Sequence, residues 1–484
     1  MSTTSTSYYL FKYLLFFFFL AYVAIRLSID ITYDEHLTLN TFVDNSFKDL
    51  VLCKPCKANN HILNSVLTKC FTSIFSVKLW IARLPNFLFS IVYAFAVFKI
   101  SNRFGNSILS LLVIVGLLFN PFLIEFFSLS RGYGISYSLM LFGYYYLLRY
   151  WKTYETKHLL LSLLGAGFAA YANFSTIHFT ASLYFLVLIK WFVDEQPKKK
   201  QHIKLFIAIS IFFILLFFAP VYRLVKQHQL YYGGNKGFID DTLWSLTAYS
   251  SGYAFDRAKA WPILIVSAVL YGLVCILSLL KGKKHTYDAW LKKLPHLVFI
   301  ICILSIFSQH YLMGTPWLID RTALFLYPLF ILSFATALNT LTSWEPKVFQ
   351  FLTLVLVLAL SANFLIEANF YKTTEWRHDS RSAEVLNYLN TLAKEKGETY
   401  RLDASWPVQR SMEYYASKTA KAKVLAVNVD QNLDSIDERA THYLFYNTDL
   451  ISVGYARSAQ FVETRIVDTL LFYPEEQLYL FSLK

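Results

Sequence analysis

Charge is what this sequence has least of. Only 16% of its 484 residues are charged, where a soluble globular chain carries about 25%. Hydrophobic residues make up 56% and aromatic residues 18%. That balance excludes an ordinary water-soluble domain as the whole molecule. Glycine-rich phosphate loops are missing too, with no P-loop anywhere in the chain, so that signature of nucleotide chemistry is absent. Cysteines are few, at five. Cys275 and Cys302 fall inside apolar blocks and read as small core residues. Cys53 and Cys56 form "CKPC", with Cys70 nearby. No second pair or histidine partner follows at zinc spacing, so a loop disulfide or free thiols are expected before metal or redox chemistry. The net charge is +13, but no basic amphipathic or RNA-binding pattern goes with it, and nucleic acid is not an expected partner.

What is present is a series of apolar blocks, many long enough to cross a bilayer, which takes about 20 helical residues. Candidate spans lie near 8–25, 85–100, 107–127, 134–150, 158–174, 176–193, 203–220, 261–280, 294–311, 322–341 and 348–367, about eleven in all. Basic clusters follow every even-numbered span: Lys99 and Arg103; Arg149, Lys152 and Lys157; Lys198, Lys199, Lys200 and Lys204; Lys281, Lys283, Lys284, Lys292 and Lys293; Lys347. The positive-inside rule puts that side in the cytoplasm, with the N-terminus inside and the C-terminal segment outside. The first span lacks a clear small-residue cleavage site and reads as an uncleaved helix. One outer loop, 221–260, resists the rule, since it carries Arg223, Lys226, Lys236, Arg257 and Lys259 beside Asp240, Asp241 and Asp256. It is either a solvated loop or a surface for an anionic lipid head group.

The texture changes after about residue 372. "SAEVLNYLNTLAKEKG" has apolar positions at helical spacing and a glycine stop. "TYRLDAS", "KVLAVNV" and "HYLFYNT" read as strands, "RSMEYYASK" as a helix, and "TRIVDTLLFY" with "QLYLFSL" as a hairpin. The expected fold is therefore a polytopic α-helical membrane protein with a small C-terminal α/β extracytoplasmic domain. Residues 1–372 form the membrane domain, including outer loops 27–84 and 221–260, and residues 373–484 the soluble one.

The outer loop 27–84 opens with "TYDEH", Thr32 to His36, directly after the first span. A loop of this length is commonly functional. Within it "HILNSVLTKCFTSIF" suits an amphipathic helix lying at the membrane interface. Other polar residues gather at the outer ends of spans: Glu125, Arg131, Tyr133, Asn173, His178, His310, Asp320 and Arg321. Ionisable residues there tend to line a cavity, because facing lipid is costly. Each has a structural alternative: a snorkelling anchor for Arg131, a hydrogen-bonded bundle histidine for His178, a local ion pair for Asp320 and Arg321.

In order, the chain shows "YDEH", "NNHILNSVLTKCF", "ARLPNFLFSIVYAFAVFKISNRFGN" and "LLFNPFLIEFFSLSRGYGISYSLMLFGYYYLLRYW". This set, over about residues 8–155, resembles the GT-C glycosyltransferases of the protein O-mannosyltransferase and aminoarabinose-transferase type. "DRTALFLYPL" is a weaker echo. The chain has "NNH" where that family usually has His-Pro-Pro. The resemblance implies an inverting transfer of a sugar from a polyprenyl-phosphate donor to a glycan, lipid or protein acceptor at the outer face, in a bacterial plasma membrane. It implies Asp34 as general base, with Glu35 or Glu125 orienting the acceptor. Arg131 and Arg321, backed by Arg83, Tyr133 and His61, would meet the donor phosphate. No cofactor is expected. A divalent metal is not favoured either, since three adjacent residues in an extended loop do not converge easily on one ion. The alternatives are a transporter or flippase without bond chemistry, and an O-antigen ligase-like protein.

Overall fold

The computed structural model describes residues 3–54, 56–105, 107–193, 199–252, 262, 265–266, 268–269, 271–276, 287–342, 345–418, 424–427, 437, 439–446 and 466–484. Lys198, Lys281, Lys283, Lys284, Asp256, Arg257, Lys259 and much of the span 261–280 lie outside them. The chain divides into two compact units. One comprises Met1–Leu27 and Asn45–Ala368, the other Ser28–Asp44 and Asn369–Lys484.

The first unit is helical. Its long elements are Thr3–Arg26, Leu79–Ser101, Gly132–Thr153, Thr156–Ala172, Ile177–Val193, Lys199–Lys226, Tyr287–Met313, Leu326–Thr342 and Pro346–Glu367. Six helices among the described residues are long and apolar enough to cross a membrane, by length and composition. With several shorter apolar helices they make this an integral membrane protein. The expected span 107–127 is not one helix. It breaks into Ile108–Leu118 and Pro121–Glu125. Asn120 causes the break: its side chain accepts the Leu123 N–H at 2.8 Å, and Pro121 starts the new turn, where its missing N–H costs nothing.

Small residues set the closest helix pairing. Gly143 and Gly165 let Gly132–Thr153 and Thr156–Ala172 meet backbone to backbone. A Cβ on Gly165 would lie 2.8 Å from the Gly143 Cα, the kind of approach membrane helices use in place of hydrophobic drive. Ser162 Oγ then donates to the Gly143 carbonyl at 3.0 Å. Cys53 and Cys56 form a disulfide, buried against Ile62, Tyr171 and Leu224, while Cys70 is a free thiol. Cys275 and Cys302 are buried. His178 is the hydrogen-bonded bundle histidine, 2.9 Å from Ser305 Oγ.

The second unit is α/β. Its described strands are β1 Tyr400–Ala404, β2 Val424–Ala426, β3 His442–Tyr446, β4 Ile466–Tyr473 and β5 Leu478–Leu483, with helices Ser382–Lys396 and Trp406–Lys418. The sheet order is β2-β1-β3-β5-β4. β1 pairs in parallel with β2 and β3, and β5 pairs antiparallel with β3 and β4. Val385, Leu389, Leu402, Val408, Met412, Leu444 and Leu480 fill one core between helices and sheet. Gly397 ends the first helix in the left-handed region, φ 71°, where glycine carries no Cβ penalty.

The sequence reading keeps the whole loop 27–84 with the membrane helices. The structure assigns its first part, Ser28–Asp44, to the α/β unit. The reason is polar. Asp30, Ile31 and Tyr33 are all hydrogen-bonded to residues beyond 378.

Candidate functional site

In the helical unit the site is built where the broken span turns into Gly132–Thr153. Residues Phe126 to Ser130 run through the interior, fully buried. Arg131 directly precedes the helix in extended conformation and is 1% exposed. The two glycines of "RGYG" permit this. A Cβ on Gly132 would sit 2.0 Å from the Ala172 carbonyl oxygen and 2.6 Å from His61 Cβ. One on Gly134 would sit 2.5 Å from the Phe126 carbonyl oxygen. Tyr133 is packed by Phe126 at 4.7 Å and by the His61 ring, edge-on, at 4.6 Å.

His61 is the residue before helix Ile62–Ile74. Its Nδ1 lies 3.1 Å from the Ala172 carbonyl oxygen, which calls for the N–H at Nδ1. Burial, then the charges of Arg131 and Arg321, hold its pKa well below the usual histidine value. His61 is therefore a neutral ring beside the arginines and adds no positive charge for a phosphate. The same fields place His61, Arg131 and Arg321 in one neighbourhood. Arg321 lies over the Tyr232 ring at 4.9 Å, and its carbonyl accepts the Tyr137 hydroxyl at 3.1 Å. Tyr232 in turn donates to Asp320 at 3.0 Å.

Helix Ile62–Ile74 turns its polar stripe inward. Asn64, Ser65, Thr68 and Thr72 are buried, while Ile74 is exposed. Asn64 Nδ2 donates to the Ser130 carbonyl at 3.0 Å and takes Asn86 Nδ2 on its oxygen at 2.7 Å. This ladder fixes the loop before Arg131. Arg83 is fully buried and donates to the Leu27 carbonyl at 3.0 Å, which closes the end of the first helix. Glu125 is engaged by Arg26, 3.6 Å away, with both side chains buried. Sequence reasoning missed Arg26, Asn64 and Asn86. The one signal was a basic residue ending an apolar span.

Asp34 and Glu35 belong to the other unit. Residues Tyr33–Leu37 form a single helical turn. Thr32 and Glu35 close a capping box: the Glu35 N–H donates to Thr32 Oγ1 at 3.3 Å, and the Thr32 N–H to Glu35 Oε2 at 3.2 Å. The Glu35 carboxylate, expected to orient an acceptor, is thus taken up in shaping the turn. Asp34 is 5% exposed and acts electrostatically on His378 and Asp379. Burial pushes Asp379 well above the usual carboxylate range and His378 down to about 3. No group of three metal-ligating side chains occurs among the described residues.

The chain thus combines an apolar helical unit with a small α/β unit, and its fold is similar to that of known membrane glycosyltransferases. The family model "Dolichyl-phosphate-mannose-protein mannosyltransferase" matches residues 61–223. ArnT from Cupriavidus metallidurans in the apo state is similar at TM-score 0.55 and 10% identity, over 99% of this chain and 98% of that one. The same protein bound to undecaprenyl phosphate aligns at TM-score 0.49 and 10% identity, over 99% and 98%. The archaeal oligosaccharyltransferase AglB from Archaeoglobus fulgidus, with an inhibitory peptide and a dolichol-phosphate, aligns at 0.46 and 10%, over 97% of this chain and 74% of that one. None of the curated proteins compared matches the chain by sequence.

Proposed function

We propose that the protein is an inverting glycosyltransferase that moves a sugar from a polyprenyl-phosphate donor to a glycan, lipid or protein acceptor at the outer face of a bacterial plasma membrane, with its N-terminus in the cytoplasm. One observation carries the reading. Arg131 is buried at the start of a 22-residue helix, within the segment matched by a dolichyl-phosphate-mannose family. A guanidinium and a helix N-terminus both favour an anion.

In this reading Asp34 takes the proton of the acceptor hydroxyl. The freed oxygen attacks the anomeric carbon. The bond from that carbon to the phosphate oxygen breaks, and the lipid phosphate leaves with the electron pair. Arg131 and Arg321 meet the charge that builds on it. One displacement inverts the sugar carbon. Neutral His61 donates from Nδ1 to the Ala172 carbonyl and gives no charge, and Arg83 and Glu125 hold the frame. No step is routed through a metal or cofactor.

The test is label transfer in membrane vesicles supplied with a panel of polyprenyl-phosphate sugars. Asp34→Asn is expected to lower transfer about 10²–10⁴-fold, the range for a lost general base. Equal transfer by both proteins removes Asp34 from that role. Lipid translocated without a broken glycosidic bond favours the flippase reading.

A further inference from the structure

The turn that carries Asp34 is five residues long and runs on into a six-residue π-helix, Thr38–Val43. A helix this short does not stand by itself in water, and its first N–H groups have no partners within it. Its geometry must come from elsewhere, and the contacts show where. The Tyr33 N–H, the first of the turn, donates to Asp379 Oδ2 at 2.7 Å. The other oxygen, Asp379 Oδ1, accepts the Ser411 hydroxyl at 2.7 Å, and Ser411 accepts the Ser382 hydroxyl at 2.8 Å. Asp379 is 1% exposed, so neither bond competes with bulk water.

A second clamp lies just upstream. Asp30 accepts the Ala383 N–H and the Tyr415 hydroxyl, both at 3.0 Å, and Tyr415 accepts the Ile31 N–H at 3.1 Å. The Tyr33 ring meets Trp406 edge-on at 5.9 Å. Residues 30, 31 and 33 are thus pinned, and Asp34 is the next residue along.

We propose that Asp379 is a positioning residue, whose carboxylate, braced by Ser411 and Ser382, sets the turn that presents Asp34. The proposal rests on Asp34 being the general base. It gives the α/β unit a part in the chemistry: its polar chain from Ser382 to Tyr33 fixes where the base stands. A shift of about 1 Å in a catalytic group costs about 10²-fold in rate.

The experiment uses the full-length protein in detergent, with two readouts. Hydrogen exchange over 28–44 and 382–396 needs no substrate. Transfer kinetics give kcat and KM for the donor. Asp379→Ala is expected to speed exchange at 33–37 while leaving 382–396 protected. Its kcat should fall about 10²-fold with donor KM unchanged. Asp379→Asn keeps one acceptor oxygen and should recover part of both. Ser411→Ala removes only the brace and should cost about 5-fold, the value of one hydrogen bond. It remains informative should Asp379→Ala not fold. The idea is overturned if Asp379→Ala turns over like wild type, or if exchange rises equally across 33–37 and 382–396, as it would for a purely structural residue. If Asp34→Asn keeps full transfer while Asp379→Ala loosens only 33–37, the base assignment fails and the clamp stands without a catalytic meaning.

Discussion

In the helical unit, Glu125, Arg131 and Tyr133 lie within one short run, and their supports are backbone carbonyls, two glycines and a ladder of asparagines from neighbouring helices. In the α/β unit, the segment around Asp34 is held by side chains 346 to 385 positions away. The first arrangement buries charge where water is scarce and satisfies it with groups the fold already supplies. The second borrows its order from another part of the chain. Cationic groups are therefore set by helix packing, and the carboxylate by the α/β unit.

The sharpest way to break this comparison is Arg131→Gln. If Arg131 meets the leaving phosphate as proposed, removing this buried charge should cost about 10²–10³-fold in kcat, as loss of a preorganised donor does. Arg131→Lys should restore only part, since an ammonium cannot reproduce the guanidinium fork. Donor turnover in vesicles reads both. A wild-type rate for Arg131→Gln would move the phosphate elsewhere. A smaller effect is expected from Gly132→Ala. The new methyl would meet the Ala172 carbonyl and His61, and overpacking of this kind costs about 1–3 kcal/mol. The thermal midpoint of the purified protein should fall, and exchange over 33–37 should stay as in wild type. Loosening of that turn as well would show the two regions are not independently held.

The smallest expected effect is on acid stability. Burial holds His36 at about 4, His378 at about 3 and His442 at about 4, below the ordinary 6.5. Their folded pKa values are depressed, so the unfolded chain binds more protons as pH falls. Stability from these rings is fully present above about pH 6.5 and is lost toward pH 4. Asp379, raised above its ordinary value, works in the opposite direction and blunts the loss. The thermal midpoint should drop between pH 7 and pH 5, and His378→Gln should flatten that slope. An unchanged slope in the variant would show that His378 protonates freely in the folded protein.

Much of this was legible in the sequence, because lipid imposes simple rules. Most of the predicted spans whose residues are described fall largely on helix, although 107–127 and 322–341 are interrupted, and the glycine stop at Gly397 stands where it was read. The break at Asn120 was missed although "NP" was in view, because hydropathy alone does not register a cap. The arginines at span ends were picked out by cost: charge near lipid needs a reason. Arg26 and the asparagine ladder were not, since no local pattern tells which side of a helix a polar residue faces. The clamp on Tyr33 was invisible for another reason. Asp379 lies in "RHDS", an unremarkable loop string, and its partner is 346 residues upstream. Pairings of that separation leave no trace in periodicity.

That separation also sets a schedule. A ribosome adds about 5–20 residues per second, so Tyr33 waits on the order of 20–70 seconds between its own synthesis and that of Asp379. Throughout that interval most of the helical unit is being threaded into the bilayer while the turn bearing Asp34 has no scaffold. A nascent or prematurely terminated chain can therefore hold lipid-facing helices and still lack a formed carboxylate corner. Synthesis through Asp379 and Ser411 is what supplies the partners of that turn.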